Sequence, residues 1–474
     1  MLKKVLLFLA LFTFTCTFTY SCKDPVEPEV PEEPEEPEIP EEPADPKAVE
    51  LELLITDNWI YESIPSFTVH VKNLNDKPLT AEAKVVVTTD KKKAVTTCTR
   101  NIELAASAEQ DVVLTLDSAL DPGFYIGKCS INGKNALFSM KSSKSSSFVF
   151  GISPEKIVSA PDKQPDFDEF WETARAQLPE INDQNVSLTE ITTKSSAGCK
   201  VYMVEMLSVP DGLTGDPVTV RGYYLEPQDG KPHPVIMHFF GYDSQNVHSK
   251  LSCPSGGSNP EYAEFYLSHR GQYINNRDAQ YREPDGHGDF KNIYGDWFAY
   301  NFGKRDGYYY RGAFMDCVQA VRFMASRPTS DIKNLFGEGS SQGGALSYAA
   351  AALSDYPFTA IAPCVAFLGD FPDYFDIVSW PGDTARKNKG SMTNEEMYAF
   401  LSYFDTKNLA TRISCAVMAC SGLQDGTCPP HTNIAPYNNL KSTDKEYYYY
   451  PKMQHDIPGD WNSKMNKFFK ARIK

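Results

Sequence analysis

The chain has 474 residues, enough for two or three domains. Apolar residues make up 41% and aromatic residues 12%, an ordinary globular balance that points away from a wholly disordered or fibrous protein. The formal net charge of −16 excludes a basic footprint for nucleic acid or for an anionic membrane surface, and it suits a neutral substrate better than a polyanionic one.

In chain order, Lys3 and Lys4 precede an apolar run at residues 5–14 that is too short to span a bilayer. This pattern predicts a secretory signal. Its end at Ser21-Cys22 resembles a bacterial lipoprotein processing site, with Cys22 as the lipidated residue and Thr19 where Leu is usual. Lys23-Asp24 resembles the surface-export signal of lipoproteins in one group of Gram-negative bacteria. The expectation is a signal peptide over residues 1–22 and an anchor at Cys22 on the outer membrane, facing outward. Residues 23–46 are dominated by Pro and Glu. Fixed φ angles and mutual repulsion leave them unable to build a core. They predict a disordered tether that reaches about 70 Å at about 3.1 Å per residue.

Over residues 47–147 the pattern is short and alternating. "SFTVHVKN", "AEAKVVVTT", "DVVLTLDS", "GFYIGKCSING" and "ALFSMKSS" predict strands of period two. Their spacing suggests an immunoglobulin-like β-sandwich. Residues 141–147, "KSSKSSS", read as the hinge to the next body. The chain has 11 cysteines. Cys98 and Cys129 both fall in this first body, where an oxidising compartment would allow them to pair. No C-x-x-C or H-E-x-x-H spacing occurs, so no metal and no cofactor is expected.

From residue 148 to the end, strand and helix patterns alternate. Residues 166–178 carry apolar positions Phe167, Phe170, Trp171, Ala174 and Leu178 at helical spacing. Residues 233–240 predict a buried strand, 311–328 an amphipathic helix, 333–339 a strand and 342–354 a helix. Residues 358–367, 414–420 and 445–451 predict further buried strands. Such alternation implies a mostly parallel sheet covered on both faces. The four successive tyrosines at 447–450 fit a strand packed on both sides.

The turn between the strand at 333–339 and the next helix reads Gly339-Ser340-Ser341-Gln342-Gly343. This is a G-x-S-x-G frame in the strand–turn–helix setting of a nucleophile elbow. A serine hydroxyl needs a base, and the base needs an orienting acid. Only His431 and His455 lie beyond Ser341 in the chain. The acid candidates are Asp370, Asp373, Asp376, Asp383 and Asp425, and only Asp425 follows directly on an apolar strand. His455 lies in the loop after the final strand. Strand-end placement therefore favours Ser341, Asp425 and His455 as nucleophile, acid and base.

Arg270-Gly271-Gln272, the Ser341 pentapeptide and His455-Asp456, together with "DFDEFW", "YYYRGAFMDCVQAV" and "GLQDGTCPP", occur in a fixed order. In these motifs the sequence resembles the acetyl xylan esterase and cephalosporin C deacetylase family, carbohydrate esterase family 7 of the α/β-hydrolase superfamily. The resemblance implies an α/β-hydrolase body and the same Ser341, Asp425 and His455. It also implies an oxyanion hole from the backbone N–H groups of Gln342 and Tyr242, with Arg270 and Gln272 bracing the pocket loops. It implies hydrolysis of acetylated carbohydrate without cofactor or metal. Members often assemble as hexameric rings, so a homo-oligomer is a further expectation. Phe240 stands where the family has His, Tyr273 where Gly is common, and Asp456 where Glu is usual. The rival readings are an esterase for another O-acyl substrate and a non-catalytic, surface glycan-binding lipoprotein.

Overall fold

In the computed structural model, residues 42–242, 251–272, 274 and 295–474 are described. Cys22, the signal and Tyr273 lie outside them. The strand Ser66–Asn73 buries every second side chain, Phe67, Val69, Val71 and Asn73. That is the signature of a strand with one wet face. It is the middle of a three-stranded antiparallel sheet, between Val49–Leu54 and Glu109–Thr115. A larger sheet runs in the order Ile60–Tyr61, Phe148–Ile152, Gly123–Ile131, Leu79–Thr89 and Ala94–Leu104. The two sheets share one core, in which the Phe67 ring lies 4.8 Å from Phe148 and 5.0 Å from Phe150.

Three expectations change here. Phe148–Ile152 does not open the second body. It pairs with Gly123–Ile131 and Ile60–Tyr61, because Phe148, Phe150 and Ile152 all face the first core. Residues 141–147 are not a bare hinge, since Lys144–Ser145 pairs with Phe138–Ser139. Cys98 and Cys129 are free thiols. Each sits opposite Val85, on either side of the strand that carries it. Two strand spacings put their backbones about 9–10 Å apart, beyond the ~4.4–6.8 Å of a disulfide.

The second body holds a nine-stranded sheet. Its strands are β1 (Val186–Glu190), β2 (Cys199–Ser208), β3 (Val218–Pro227), β4 (His233–Phe239), β5 (Ala263–Ser268), β6 (Ser330–Ser340), β7 (Ala360–Cys364), β8 (Ala416–Gly422) and β9 (Lys445–Tyr450). Their spatial order is β1-β2-β3-β5-β4-β6-β7-β8-β9. The first three strands pair antiparallel, and from β5 onward all neighbours are parallel. The main helices are α1 (Phe167–Ala176), α2 (Tyr309–Ala325), α3 (Gln342–Leu353), α4 (Phe371–Ile377), α5 (Pro430–Asn438) and α6 (Trp461–Lys470). Among the described residues, no helix is long and apolar enough to cross a membrane.

Both faces of the sheet are covered, as its continuous apolar strands require. On β6, Leu335 joins the core under α2 and α3, while Phe336 faces the opposite way and stacks on Phe469 of α6 at 4.7 Å. The tyrosines of β9 divide likewise. Tyr447 meets Tyr437 of α5 at 4.9 Å, and Tyr448 lies under the Lys464 ammonium of α6 at 4.1 Å. Residues Ala44–Lys474 form one unit, so the N-terminal β-region is fastened to the body that follows it.

Candidate active site

β6 ends at Ser340 and α3 begins at Gln342, leaving Ser341 alone in the turn with φ 56° and ψ −122°. A positive φ is costly for a residue with a Cβ, and persists only where surroundings enforce it. Two glycines make the turn this tight. A Cβ on Gly343 would lie 2.2 Å from the carbonyl oxygen of Phe239, and one on Gly339 would lie 2.5 Å from the Gly343 backbone. Main-chain bonds hold the bend: the Ser341 N–H donates to Cys364 O at 2.9 Å, and the Phe367 N–H donates to Ser341 O at 3.0 Å.

His455 Nε2 lies 2.9 Å from Ser341 Oγ, and His455 Nδ1 lies 2.8 Å from Asp425 Oδ2. The Asp425 side chain is wholly buried. Its other oxygen accepts from the backbone N–H groups of Thr427 and Cys428, both at 2.8 Å. Those bonds fix the carboxylate plane, so Oδ2 is aimed at the imidazole. Asp425 and Ser341 reach the same mouth because β8 and β6 are parallel, and both residues follow the carboxyl ends of their strands. Burial by itself would depress the His455 pKa. The hydrogen bond to Asp425 and the neighbouring Cys428 side chain together outweigh it and hold the imidazole above its ordinary value.

Gln342 is the first residue of α3, where backbone N–H groups have no partner inside the helix. The loop after β4 passes beside the serine, since a Cβ on Gly241 would sit 3.9 Å from Ser341 Cβ. Tyr242 follows. Its hydroxyl donates to Asp296, and its ring packs at 5.2 Å from Trp297 and 5.4 Å from Trp380. Trp380 in turn stacks on Phe367 at 5.1 Å. Aromatic rings therefore pack around Tyr242, the residue after the one beside Ser341.

Arg270 is buried and clasps Asp316 of α2, with Nε 2.9 Å from Oδ2 and Nη2 2.7 Å from Oδ1. Nη2 also donates to Val209 O at 3.1 Å, beyond the end of β2. The guanidinium lies against Gly312, where a Cβ would come within 2.1 Å of Nη1. Gln272 closes a tight turn through its N–H to His269 O at 3.0 Å. Phe240 stacks loosely on Tyr266 at 6.4 Å.

Sequence reasoning missed His269. Its Nε2 lies 3.0 Å from Gln342 Nε2, and its Nδ1 lies 3.0 Å from Tyr309 Oη. Burial pushes this imidazole down to about 4, so it is neutral. With Gln342 donating to Nε2, Nδ1 carries the proton and donates to Tyr309, whose own hydroxyl donates to Arg270 O at 2.8 Å. Tyr310 donates to Gln342 Oε1 at 2.8 Å. The only sequence signal was its position directly before Arg270.

His431, Asp370 and Asp373 form a separate cluster, while Asp376 lies 4.0 Å from Lys91 and Asp383 pairs with Arg386 at 3.0 Å. His431 lies between Asp90 of the N-terminal region, at 2.9 Å, and Asp373 of α4, at 2.9 Å. Both carboxylates raise its pKa to about 9 against the opposing effect of burial. Asp370, Asp373 and His431 are the one set among the described residues with ligand atoms close enough for a metal ion. Lys407 already sits 2.9 Å from Asp370, and Lys91 pairs with Asp373, so the set is satisfied by internal ion pairs.

A mostly parallel sheet that displays a serine in a strained strand-to-helix turn, beside a histidine and an aspartate on later strand ends, defines the α/β-hydrolase fold, and its match to an esterase family makes this protein a carboxylic ester hydrolase. Its sequence matches the acetyl xylan esterase (AXE1) family over residues 155–472, and the chain belongs to that family. It is 25% identical over 367 residues to acetyl esterase Axe7A of Xylanibacter ruminicola, covering 76% of this chain and 77% of that one. An acetyl xylan esterase structure from Paenibacillus sp. R4 superposes with TM-score 0.53 at 25% identity, over 67% of this chain and 98% of that one. Acetyl xylan esterase 1 from Thermoanaerobacterium sp. JW/SL YS485 shares the fold, with TM-score 0.55 at 23% identity, over 68% and 98%.

Proposed function

We propose that this protein removes acetyl groups from acetylated carbohydrate, of the xylo-oligosaccharide type, through an acyl-enzyme on Ser341. The observation that carries this reading is the unbroken hydrogen-bonded chain Ser341–His455–Asp425 in a member of an acetyl xylan esterase family. Ser341 Oγ attacks the ester carbonyl while His455 Nε2 takes its proton. Asp425 holds the imidazole in register and stabilises its cation. The backbone N–H groups of Gln342 and Tyr242 bind the oxyanion, each lowering the barrier by about 3 kcal/mol. The intermediate collapses, His455 returns the proton to the leaving sugar oxygen, and water repeats the sequence to free acetate. The rings of Tyr242, Trp297 and Trp380 suit a small acyl group. Arg270 and Gln272 act as braces outside the chemistry.

The chain would be exported, lipidated at Cys22 and held off the outer membrane by residues 23–46. Its N-terminal two-sheet region reads as a sandwich of the immunoglobulin kind. The test is acetate release from acetylated xylo-oligosaccharides, and 4-nitrophenol release from 4-nitrophenyl acetate, by wild type and Ser341→Ala. The variant is expected to lose at least about 10⁴-fold in kcat. Retained turnover would overturn the assignment, and preference for longer acyl esters would favour another O-acyl substrate.

A further inference from the structure

The N-terminal β-region grips the hydrolase body at the loops that carry the acid and the base. Gln424, next to Asp425, accepts from the Val149 N–H at 3.0 Å and donates to Val149 O at 3.2 Å. Asp456, next to His455, pairs with Lys141. Asp90 and Lys91, in the turn after Leu79–Thr89, engage His431 and Asp373. A module that served only as a spacer would have no reason to attach beside both residues.

Between the two bodies runs a cleft of about 360 Å³, within the range of small-molecule sites. Phe124, Ile126 and Ser147 line it from the β-region, and Val378, Gly426 and Gln454 from the hydrolase. Gln454 and Gly426 directly adjoin His455 and Asp425. Val378 lies two residues before Trp380, whose ring packs on Tyr242. The direction matters. In ester hydrolysis the base returns its proton to the leaving oxygen, so the alcohol part of the substrate lies on the imidazole's side of the serine. The cleft is lined by Asp425 itself and by Gln454, the residue before His455.

We infer that the N-terminal β-region builds one wall of a leaving-group subsite, which holds a neutral carbohydrate chain beyond the unit that bears the acetyl group. This rests on the esterase reading above. The half-buried Ile126 side chain offers an apolar surface to the C–H face of a sugar ring, and the exposed Ser147 hydroxyl and Gln454 amide offer partners to its hydroxyls. Three separate fastenings set the wall in place before substrate arrives, which lowers the ordering cost of binding. The region thereby selects for oligomers over single acetylated sugars.

The experiment compares kcat/KM of the full-length protein on acetylated xylo-oligosaccharides, on acetylated xylose and on 4-nitrophenyl acetate. Wild type is expected to prefer the oligosaccharide to the monosaccharide. Ser147→Trp fills the cleft from an exposed position, and Ile126→Ala strips its apolar floor. Each is expected to lower the ratio of oligosaccharide to 4-nitrophenyl acetate turnover by about tenfold, mainly through KM. Thermal melts identify a variant that fails to fold, and the other then carries the test. An unchanged ratio in a folded variant, or a wild type indifferent to chain length, would overturn the subsite. Neither result touches the Ser341 assignment, which 4-nitrophenyl acetate and Ser341→Ala test separately.

Discussion

Replacing Arg270 by Met leaves the Asp316 carboxylate, which is wholly buried, without its counter-charge. Asp316 keeps the Ser208 hydroxyl at 2.5 Å and the Arg270 N–H at 3.0 Å, but loses the Nε and Nη2 donors. Breaking a buried pair from one side costs about 3–5 kcal/mol, because the remaining charge is desolvated and unpaired. With about 2.1 cal/mol/K of unfolding entropy per residue over some 430 residues, that lowers the thermal midpoint by about 3–6 °C. Removing both charges, in Arg270→Met with Asp316→Leu, eliminates the stranded carboxylate and is expected to recover at least about half of the loss. The same arginine fixes the turn that carries His269, so kcat on 4-nitrophenyl acetate is expected to fall in the single variant. Scanning calorimetry and steady-state kinetics on wild type, single and double variants provide the assay. A single variant melting within about 1 °C of wild type, or a double variant melting below the single one, would show that the pair is not a buried brace.

Further outcomes follow from neighbouring geometry. His455 must be neutral to accept the Ser341 proton, and its pKa is raised, so kcat/KM is expected to climb with pH through a value above the ordinary 6.5 of histidine; a limb at or below that value would contradict the Asp425 contact. His269→Leu strands the Gln342 amide proton and is expected to lower kcat about tenfold with little change in KM, while His269→Gln, which restores an acceptor, recovers part of it. Gly343→Ala drives a methyl carbon to 2.2 Å from Phe239 O, so activity is expected to fall at least about a hundredfold although alanine favours helix; a fully active variant would mean the elbow is looser than described. His431 holds its proton up to about 9 when folded against 6.5 when free, so its contribution to stability is full below pH 6.5 and is lost as pH rises to about 9. The melting difference between wild type and His431→Gln is accordingly expected to shrink across that window, and a difference that grows would reverse the sign of the argument.

Much of the catalytic body was legible because its local signals agree with its tertiary surroundings. The helix expected at 342–354 is α3, and the strand expected at 233–240 is β4, since both are mostly apolar and sit in the middle of the fold. Asp425 could be singled out because it directly follows a buried strand. Elsewhere the pattern was too faint. Ala94–Leu104 buries only Cys98 and Leu104, so its outer-edge position erased the alternation that would have marked it. β1 buries none of its five residues, and Val186 and Leu188 alone were too short an alternation to mark it. Phe148–Ile152 was read as the start of the wrong body, because a strand's own residues do not reveal which sheet it completes.

The glycines at 339 and 343, the apolar strand before them and the alanine-rich helix after them are short-range instructions. They specify a displayed serine through backbone sterics among residues close in the chain. The neutral His269 behind Gln342, the Arg270–Asp316 clasp and the seating of the β-region against the loops of Asp425 and His455 join residues 46 to 315 positions apart. Such contacts exist only once strand order and crossover connections have carried distant segments to one place. Burial then removes water, and each polar group must find its partner wherever the fold has brought one.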